Sequence, residues 1–249
     1  MTENKLAVLI DADNVPYSNV KEMLEEIAKN GTPTIKRIYA DWTKPTVAGW
    51  KNVLLENAIT PIQQYSYTTG KNSSDSAMII DAMDILYSGK VNGFCIVSSD
   101  SDFTRLATRL RETGMTVIGF GEKKTPQPFI SACDKFIYLE ILKTAKADIE
   151  TATKKTVKLK KEEPISKVDT ETIRIITESV NDLADETGWA FLGSLGNYIL
   201  KKKPDFDPRN YGFSKLTPML KSLTDILEID ERESDKKGIK HVFVRLRYS

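Results

Sequence analysis

Short apolar runs alternate with amphipathic segments through the N-terminal part of the chain. The runs LAVLI, GFCIV and TVIGF, at residues 6–10, 93–97 and 116–120, are apolar at nearly every position. Strands separated by helices form parallel sheets, and strands buried on both faces have continuous apolar runs of this kind. The sequence therefore predicts an α/β fold, with a doubly wound parallel sheet and helices on both of its faces.

The segments between these runs have helical spacing of apolar residues. They predict helices near residues 18–29, 47–58, 73–89 and 102–114 and further strands at 34–42 and 59–65, and FISACDKFIYL predicts a helix followed by a short strand. The first and fourth strands of such a sheet are expected to be neighbours at its centre, where ligands bind outside the carboxyl ends of the strands.

Apolar periodicity stops after this region and a second pattern begins. Residues 146–166 are rich in lysine and predict a solvated linker between a first domain at 1–145 and a second at 167–249. Three helical patterns and two alternating strands around a polar tip follow, and the strands read as a hairpin. The second domain is therefore predicted to be a small winged helix.

The composition excludes several classes of site. The net charge is +1, and the chain has one histidine, His241, and two cysteines without metal-like spacing. A histidine-ligated zinc site and histidine acid–base chemistry are therefore not expected. No apolar run is long enough for a membrane span or a signal peptide, so we expect a cytoplasmic protein with reduced thiols.

Aspartates follow the central strands at the points where the strands end. Asp11 and Asp13 follow the first strand, Asp100 and Asp102 follow the fourth, Asp75 opens the third helix, and Asp81 lies further along it. Helix capping would explain a single aspartate in such a place, and Asp100 and Ser101 are both candidates to cap the helix that follows. Capping accounts for one carboxylate of a pair and leaves the second unexplained.

Several carboxylates at one sheet edge repel each other strongly. Two charges about 4 Å apart interact by about 4 kcal/mol at an effective dielectric constant near 20. A divalent cation offsets this repulsion, and ligands that are all oxygen indicate Mg²⁺ or Mn²⁺. Such an ion binds phosphate oxygens and lowers the pKa of a bound water, which suggests hydrolysis of phosphodiester bonds.

The motifs LIDADNV, KNSSDSAMIIDAMDIL and CIVSSDSDF resemble, in that order, those of the NYN domain, the LabA-like branch of the PIN-like nucleases. The resemblance implies a PIN-like fold and a ribonuclease whose ion is held by Asp11, Asp75, Asp100 and Asp102. It also implies that Asn14 orients the site. Ser98 and Ser99 are expected to position Asp100 or to bind phosphate, and Asp13 and Asp81 are further supporting candidates at the same edge. Capping, turn closure and solvated surface positions remain the alternatives for these side chains.

The C-terminal part is similar to the OST-HTH or LOTUS domain, a winged helix associated with RNA. Candidate contacts to RNA, expected to be single-stranded, are Lys71, Lys201, Lys202, Lys203, Arg209 and Lys215. Tyr211 and Phe213 are interleaved with them and would stack on bases or belong to the core. Some domains of this kind bind a protein partner instead, and the sequence does not indicate an oligomeric state.

Two other functions fit the same residues. DADNV after an apolar strand also resembles haloacid dehalogenase-type phosphatases, in which Asp11 would be the nucleophile and Asp13 the acid–base group. That fold requires a cap over a small substrate, and no insertion of that size is present. The other alternative is an RNA-binding adaptor without catalysis, in which the aspartates hold a structural ion. The retention of all four candidate ligands favours the metal-dependent ribonuclease.

Overall fold

The computed structural model describes residues 4–65, 73–142, 168–233 and 240–247. The chain divides into two compact units, Met1–Val157 and Lys158–Ser249. The predicted linker at 146–166 and both predicted domain boundaries lie outside the described residues. No helix within the described ranges has the length and apolar character that crossing a membrane requires.

The first unit is built on one sheet of six parallel strands. The strands are β1 (Lys5–Asp11), β2 (Thr32–Ala40), β3 (Thr60–Gln63), β4 (Gly93–Val97), β5 (Thr116–Gly121) and β6 (Lys135–Tyr138). Their order across the sheet is β3-β2-β1-β4-β5-β6, and every neighbouring pair is parallel. This order reverses direction between β1 and β4, so the doubly wound sheet and the central position of those two strands are confirmed.

Helices connect these strands. They are α1 (Val20–Ala28), α2 (Trp50–Asn57), α3 (Ser73–Tyr87), α4 (Thr104–Glu112) and α5 (Gln127–Ala132), with 3-10 turns at Tyr17–Asn19, Pro45–Val47 and Ser101–Phe103. The predicted fourth helix therefore begins as a 3-10 turn. The predicted second helix starts later than expected, because the residues from Pro45 form their own 3-10 turn before Trp50.

Both faces of the sheet are buried, as the continuous apolar runs predict. In β1, Ala7 and Leu9 pack in one core cluster with Phe103 of the 3-10 turn before α4. Leu6, Val8 and Ile10 alternate with them, so they point to the opposite face, and they are fully buried as well. Complete burial of such a side chain contributes about 1.5–3 kcal/mol.

The carboxyl ends of β1 and β4 lie side by side. Ile10 is paired with Val97 at the end of the ladder, so the next residues, Asp11 and Ser98, are neighbours at the sheet edge. Helix α3 connects the carboxyl end of β3 to the amino end of β4, so its first turn belongs to the same edge.

The second unit combines three helices with a small antiparallel sheet. Its elements are α6 (Thr170–Leu183), β7 (Ala190–Phe191), α7 (Leu192–Lys202), a 3-10 turn (Pro208–Tyr211), α8 (Leu216–Lys221), β8 (Leu227–Glu233) and β9 (Lys240–Leu246). The strand order is β7-β9-β8. The predicted hairpin is confirmed by the pairing of β8 with β9, and the hairpin tip lies outside the described residues. Strand β7 was not predicted, because its two residues are too few to show a periodic pattern.

Candidate functional site

Three carboxylates meet at the carboxyl edge of the six-stranded sheet. Asp75 lies in the first turn of α3, and Asp100 and Asp102 lie in the turn between β4 and α4. Each offers one carboxylate oxygen, and the three oxygens lie within 4.8 Å of one another. Asp75 is buried and Asp102 is exposed. The group is therefore open to solvent, and to a ligand, on the side of Asp102.

The double aspartate after β4 has two local roles that do not conflict. The Asp100 carboxylate accepts a hydrogen bond of 2.9 Å from the backbone N–H of Asp102. This bond caps the 3-10 turn Ser101–Phe103, which leads into α4. The cap holds Asp100 in place and leaves the Asp102 side chain directed at Asp75. Capping therefore explains the first carboxylate of the pair, and the cluster explains the second.

Asp11 lies beside the cluster and is held by three donors. Its carboxylate accepts hydrogen bonds from the Asn14 amide at 2.6 Å, the Ser98 hydroxyl at 2.8 Å and the Asp13 backbone N–H at 3.2 Å. Its side chain is 1% exposed. Burial raises the pKa of Asp11, and the hydrogen bonds from Asn14, Ser98 and Asp13 oppose that rise. Asp11 is thus fixed in orientation, although it is not one of the three carboxylates that lie within 4.8 Å.

The two serines after β4 join neighbouring parts of the edge. The Ser98 oxygen donates to Asp11 and accepts a hydrogen bond of 3.1 Å from the backbone N–H of Asp100. The Ser99 hydroxyl accepts a bond of 2.8 Å from the backbone N–H of Glu122, which follows β5. Gly121 is required there, because a Cβ atom would lie 2.7 Å from the Ser98 carbonyl oxygen. Ser98 therefore positions the acidic residues, whereas Ser99 joins the end of β4 to the residue after β5.

The electrostatics of the cluster are those of crowded like charges. Burial, followed by the charges of Asp11, Asp100, Asp102 and Asp13, raises the pKa of Asp75 to about 6. Asp13 is exposed, and its charge acts on Asp75 although its carboxylate is not one of the three. A cation among these oxygens would favour the ionised form of Asp75 and would lower this pKa.

Asp81 lies on α3 but contacts a different part of the sheet. Its carboxylate accepts hydrogen bonds from the Arg37 guanidinium and the Tyr39 hydroxyl, both on β2. Tyr39 is fully buried, and burial together with the Asp81 charge raises the pKa of its hydroxyl. The structure therefore places Asp81 against β2 and outside the three-carboxylate group. Arg37 and Tyr39 were not predicted to contact Asp81; they lie at alternate positions of β2 and therefore on one face of that strand.

The candidate RNA-binding side chains of the second unit differ in their charge partners. Three are paired with acids: Lys202 with Asp182 at 2.7 Å, Lys203 with Asp205 at 3.8 Å, and Arg209 with Asp207 at 2.6 Å. Lys201 and Lys215 are exposed and have no ion pair with any residue that the structure describes. Lys71 lies outside the described residues. The structure thus leaves two of the five placed cations uncompensated.

The aromatic residues among these lysines belong to the core. Tyr211 is 7% exposed, and its hydroxyl lies 3.0 Å from the Thr172 hydroxyl. Phe213 packs against the same core cluster. Of the two roles considered for them, the structure therefore favours packing in the core over stacking on bases.

Comparison with known proteins agrees with this architecture. The model of the NYN domain matches residues 5–140, and the model of the OST-HTH/LOTUS domain matches residues 163–239. No curated protein matches the chain.

Two solved structures are similar to parts of the chain. One is the solution structure of an uncharacterized protein from Nitrosomonas europaea, 29% identical over 39% of this chain and 91% of that one, with a TM-score of 0.32. The other is the crystal structure of a protein of unknown function from Vibrio parahaemolyticus, 21% identical over 54% of this chain and 91% of that one, with a TM-score of 0.44.

The NYN match covers more than half of the chain, and it falls on the unit whose sheet edge carries the acidic cluster. The OST-HTH/LOTUS match falls on the unit with three helices and a hairpin. The chain therefore belongs to the NYN domain family, within the PIN-like nuclease superfamily, and carries an OST-HTH/LOTUS domain in its C-terminal part.

Proposed function

We propose that this protein is a metal-dependent ribonuclease whose C-terminal domain holds the RNA substrate. The observation that carries the proposal is the convergence of Asp75, Asp100 and Asp102, whose carboxylate oxygens lie within 4.8 Å of one another. Three carboxylates from two separate elements at such distances are stable together when a cation lies among them. The NYN family match supports a nuclease, and the OST-HTH/LOTUS match supports RNA as the polymer.

The residues present fit a hard divalent ion. All three candidate ligands are carboxylates, and oxygen ligands select Mg²⁺ or Mn²⁺ over softer metals. The only histidine, His241, belongs to the C-terminal unit, and both cysteines are buried. Burial is the largest cause of the raised pKa of Asp75, and the neighbouring carboxylates add to it; a bound cation would offset the repulsion among these charges. When bound, such an ion supplies a Lewis acid for a phosphate oxygen and a water of lowered pKa.

The chain's own residues then have distinct roles in the proposal. Asp75, Asp100 and Asp102 hold the ion, and the exposed side of Asp102 admits the phosphate. Asp11 is the fourth carboxylate, and three hydrogen bonds fix its orientation. Asn14 and Ser98 are positioning residues, because they act through Asp11. We assign Asp81 to the packing of α3 on β2, because its carboxylate already accepts hydrogen bonds from Arg37 and Tyr39.

The phosphatase alternative fits the structure less well. In that chemistry Asp11 attacks the phosphorus atom directly, so its carboxylate must be accessible to the substrate. Here Asp11 is 1% exposed and accepts three hydrogen bonds. A carboxylate in this state is a poor nucleophile, because attack would break those bonds.

The second candidate function is an RNA-binding adaptor in which the cluster holds an ion but does not cut. The uncompensated Lys201 and Lys215 serve both functions equally. A labelled single-stranded RNA, incubated with the full-length protein and Mn²⁺ or with EDTA, separates them. The proposal expects shortened products with Mn²⁺ and intact, bound RNA with EDTA. Binding without cleavage under both conditions would establish the adaptor.

A further inference from the structure

The small sheet of the C-terminal unit has one face in the core and one face that is partly exposed. Along β9, Val244 is fully buried in the core cluster. His241, Phe243 and Arg245 alternate with the core positions, so they lie on the opposite side of the strand. We call this side the outer face, and it comprises Trp189, Phe191, Arg232, His241, Phe243 and Arg245.

Aromatic rings on the outer face are arranged across neighbouring strands. Phe191 of β7 lies directly opposite Phe243 of β9, and their ring centroids are 5.7 Å apart. The His241 ring lies 5.4 Å from the Phe191 ring. Phe191 is 40% exposed, and His241 and Phe243 are partly exposed. The planes of the Phe191 and Phe243 rings are tilted by 51° and those of Phe191 and His241 by 75°, so each ring offers its own partly exposed surface to a ligand.

Two guanidinium groups extend this surface. The Arg232 guanidinium lies 4.3 Å from the centroid of the Phe243 ring and 5.1 Å from that of Trp189. The Arg245 guanidinium lies 4.6 Å from the Trp189 ring. The side chains of Arg232 and Arg245 are 41% and 38% exposed. Both side chains are therefore partly exposed, and the Arg232 guanidinium covers part of the Phe243 ring.

Acidic residues orient these arginines and reduce the charge of the outer face. Arg232 is paired with Asp230 at 2.8 Å, and Arg245 with Glu228 at 2.6 Å. With both cations compensated, the surface does not attract a polyanion by charge alone. It offers planar groups, and stacking on planar groups is how proteins hold unpaired bases largely without regard to sequence.

We propose that the outer face binds unpaired RNA bases by stacking, with Phe191 and Phe243 as the principal platforms. This inference rests on RNA as the substrate proposed above. It gives the C-terminal domain two separate contributions: Lys201 and Lys215 contact phosphates, and the outer face contacts bases. A sheet with aromatic residues at opposed positions of adjacent strands is also the arrangement by which other RNA-binding domains stack bases.

Three RNAs of equal length test the proposal: a single strand, an abasic single strand with the same phosphates, and a duplex. Binding to the full-length protein is measured in EDTA, so that cleavage does not enter. Phe243→Leu and Phe191→Leu are each expected to lower the affinity for the single strand about tenfold. Both variants are expected to leave the affinities for abasic and duplex RNA unchanged. Tyr87→Leu, at an exposed tyrosine of the NYN domain, is the control and should change none of the three.

The outcomes separate the two proposals. Equal affinity of both variants and the wild type for the single strand would overturn the stacking role and leave RNA binding intact. An equal loss for all three RNAs would also overturn it, because the substitution would then act through the fold. If the wild-type protein binds none of the three RNAs, the proposed function itself fails.

Discussion

The Ser98 hydroxyl donates a hydrogen bond of 2.8 Å to the Asp11 carboxylate, joining residues that are 87 positions apart in the sequence. The same oxygen accepts a bond from the backbone N–H of Asp100. One serine thereby fixes the acidic residue after β1 relative to the acidic pair after β4. Because β1 and β4 are the strands at which the sheet order reverses, this bond lies where α/β sheets bind their ligands.

Ser98→Ala should weaken both stability and cleavage. It removes one of three donors to a buried carboxylate, and leaving such a group short of a partner costs about 1–3 kcal/mol. Urea denaturation and single-turnover RNA cleavage measure the two effects. Ser99→Ala is the matched control, because the Ser99 hydroxyl bonds the Glu122 backbone and no carboxylate. Equal cleavage by the two variants would show that the Ser98–Asp11 bond does not serve the site.

Asp75→Asn should stabilise the metal-free protein near neutral pH. The folded-state pKa of Asp75 is about 6, above its ordinary value of 3.8, so the folded protein binds this proton more tightly than the unfolded chain does. This group therefore makes stability fall as the pH rises from about 4 to about 6, by at most about 3 kcal/mol. Asparagine does not ionise, so the variant does not lose this stability as the pH rises.

Denaturation in EDTA at about pH 4 and about pH 7 measures this effect. The difference in unfolding free energy between Asp75→Asn and the wild type should grow with pH. Asp84→Asn, on an exposed position of the same helix, should show no such trend. A variant that is less stable than the wild type at neutral pH would contradict the view that burial and neighbouring charges destabilise the ionised Asp75.

Asp81→Asn should reduce the stability of the protein but should keep the increase in thermal stability that Mn²⁺ causes. The substitution weakens the contacts with Arg37 and Tyr39 that hold α3 on β2, at a cost of about 1–3 kcal/mol. Tyr39→Phe removes one of these contacts and should cost less. Thermal unfolding with and without Mn²⁺ gives both quantities. If Asp81→Asn keeps its stability and loses the shift caused by Mn²⁺, then Asp81 faces the ion after all.

Among the C-terminal cations, Lys201 and Lys215 should contribute most to RNA binding. The Lys202 ammonium is already paired with Asp182, whereas Lys201 and Lys215 make no ion pair in the described part of the chain. Lys201→Gln and Lys215→Gln should each reduce the slope of log affinity against log salt by about 0.7. Lys202→Gln should change it less, as titrations at several salt concentrations will show. A larger effect of Lys202→Gln would mean that its ion pair opens on binding.

The sheet and the acidic edge could be predicted because their signals are local. Continuous apolar runs identify strands buried on both sides, and parallel pairing then brings Asp11 and Asp100 to one edge, whatever the details of packing. Whether Asp81 faces the acidic cluster depends on how α3 is rotated about its own axis. Contacts with Arg37 and Tyr39 fix that rotation, and these residues are too distant in the sequence for a local pattern to reveal them.

In the C-terminal domain, too, the contacts that depend on tertiary packing could not be predicted from the sequence. Its hairpin follows from alternation, but the pairing of Lys202, Lys203 and Arg209 with acids depends on how loops and helices meet. The sequence left stacking and core packing open for Tyr211, and the structure places it in the core, where its hydroxyl contacts Thr172 of α6. The accessible rings are instead on β7 and β9, and β7 is too short to be recognised from its pattern.

The most direct test of the central claim compares Asp102→Asn with Asp84→Asn in Mn²⁺-dependent cleavage of single-stranded RNA. Asp102 contributes the exposed oxygen of the three-carboxylate group, whereas Asp84 is an exposed aspartate outside it. We predict that Asp102→Asn lowers the single-turnover rate by about a hundredfold or more with the fold unchanged, since one ligand of the ion is lost. Asp84→Asn should cleave at the wild-type rate. Equal rates for the two variants would contradict a catalytic metal centre at this edge.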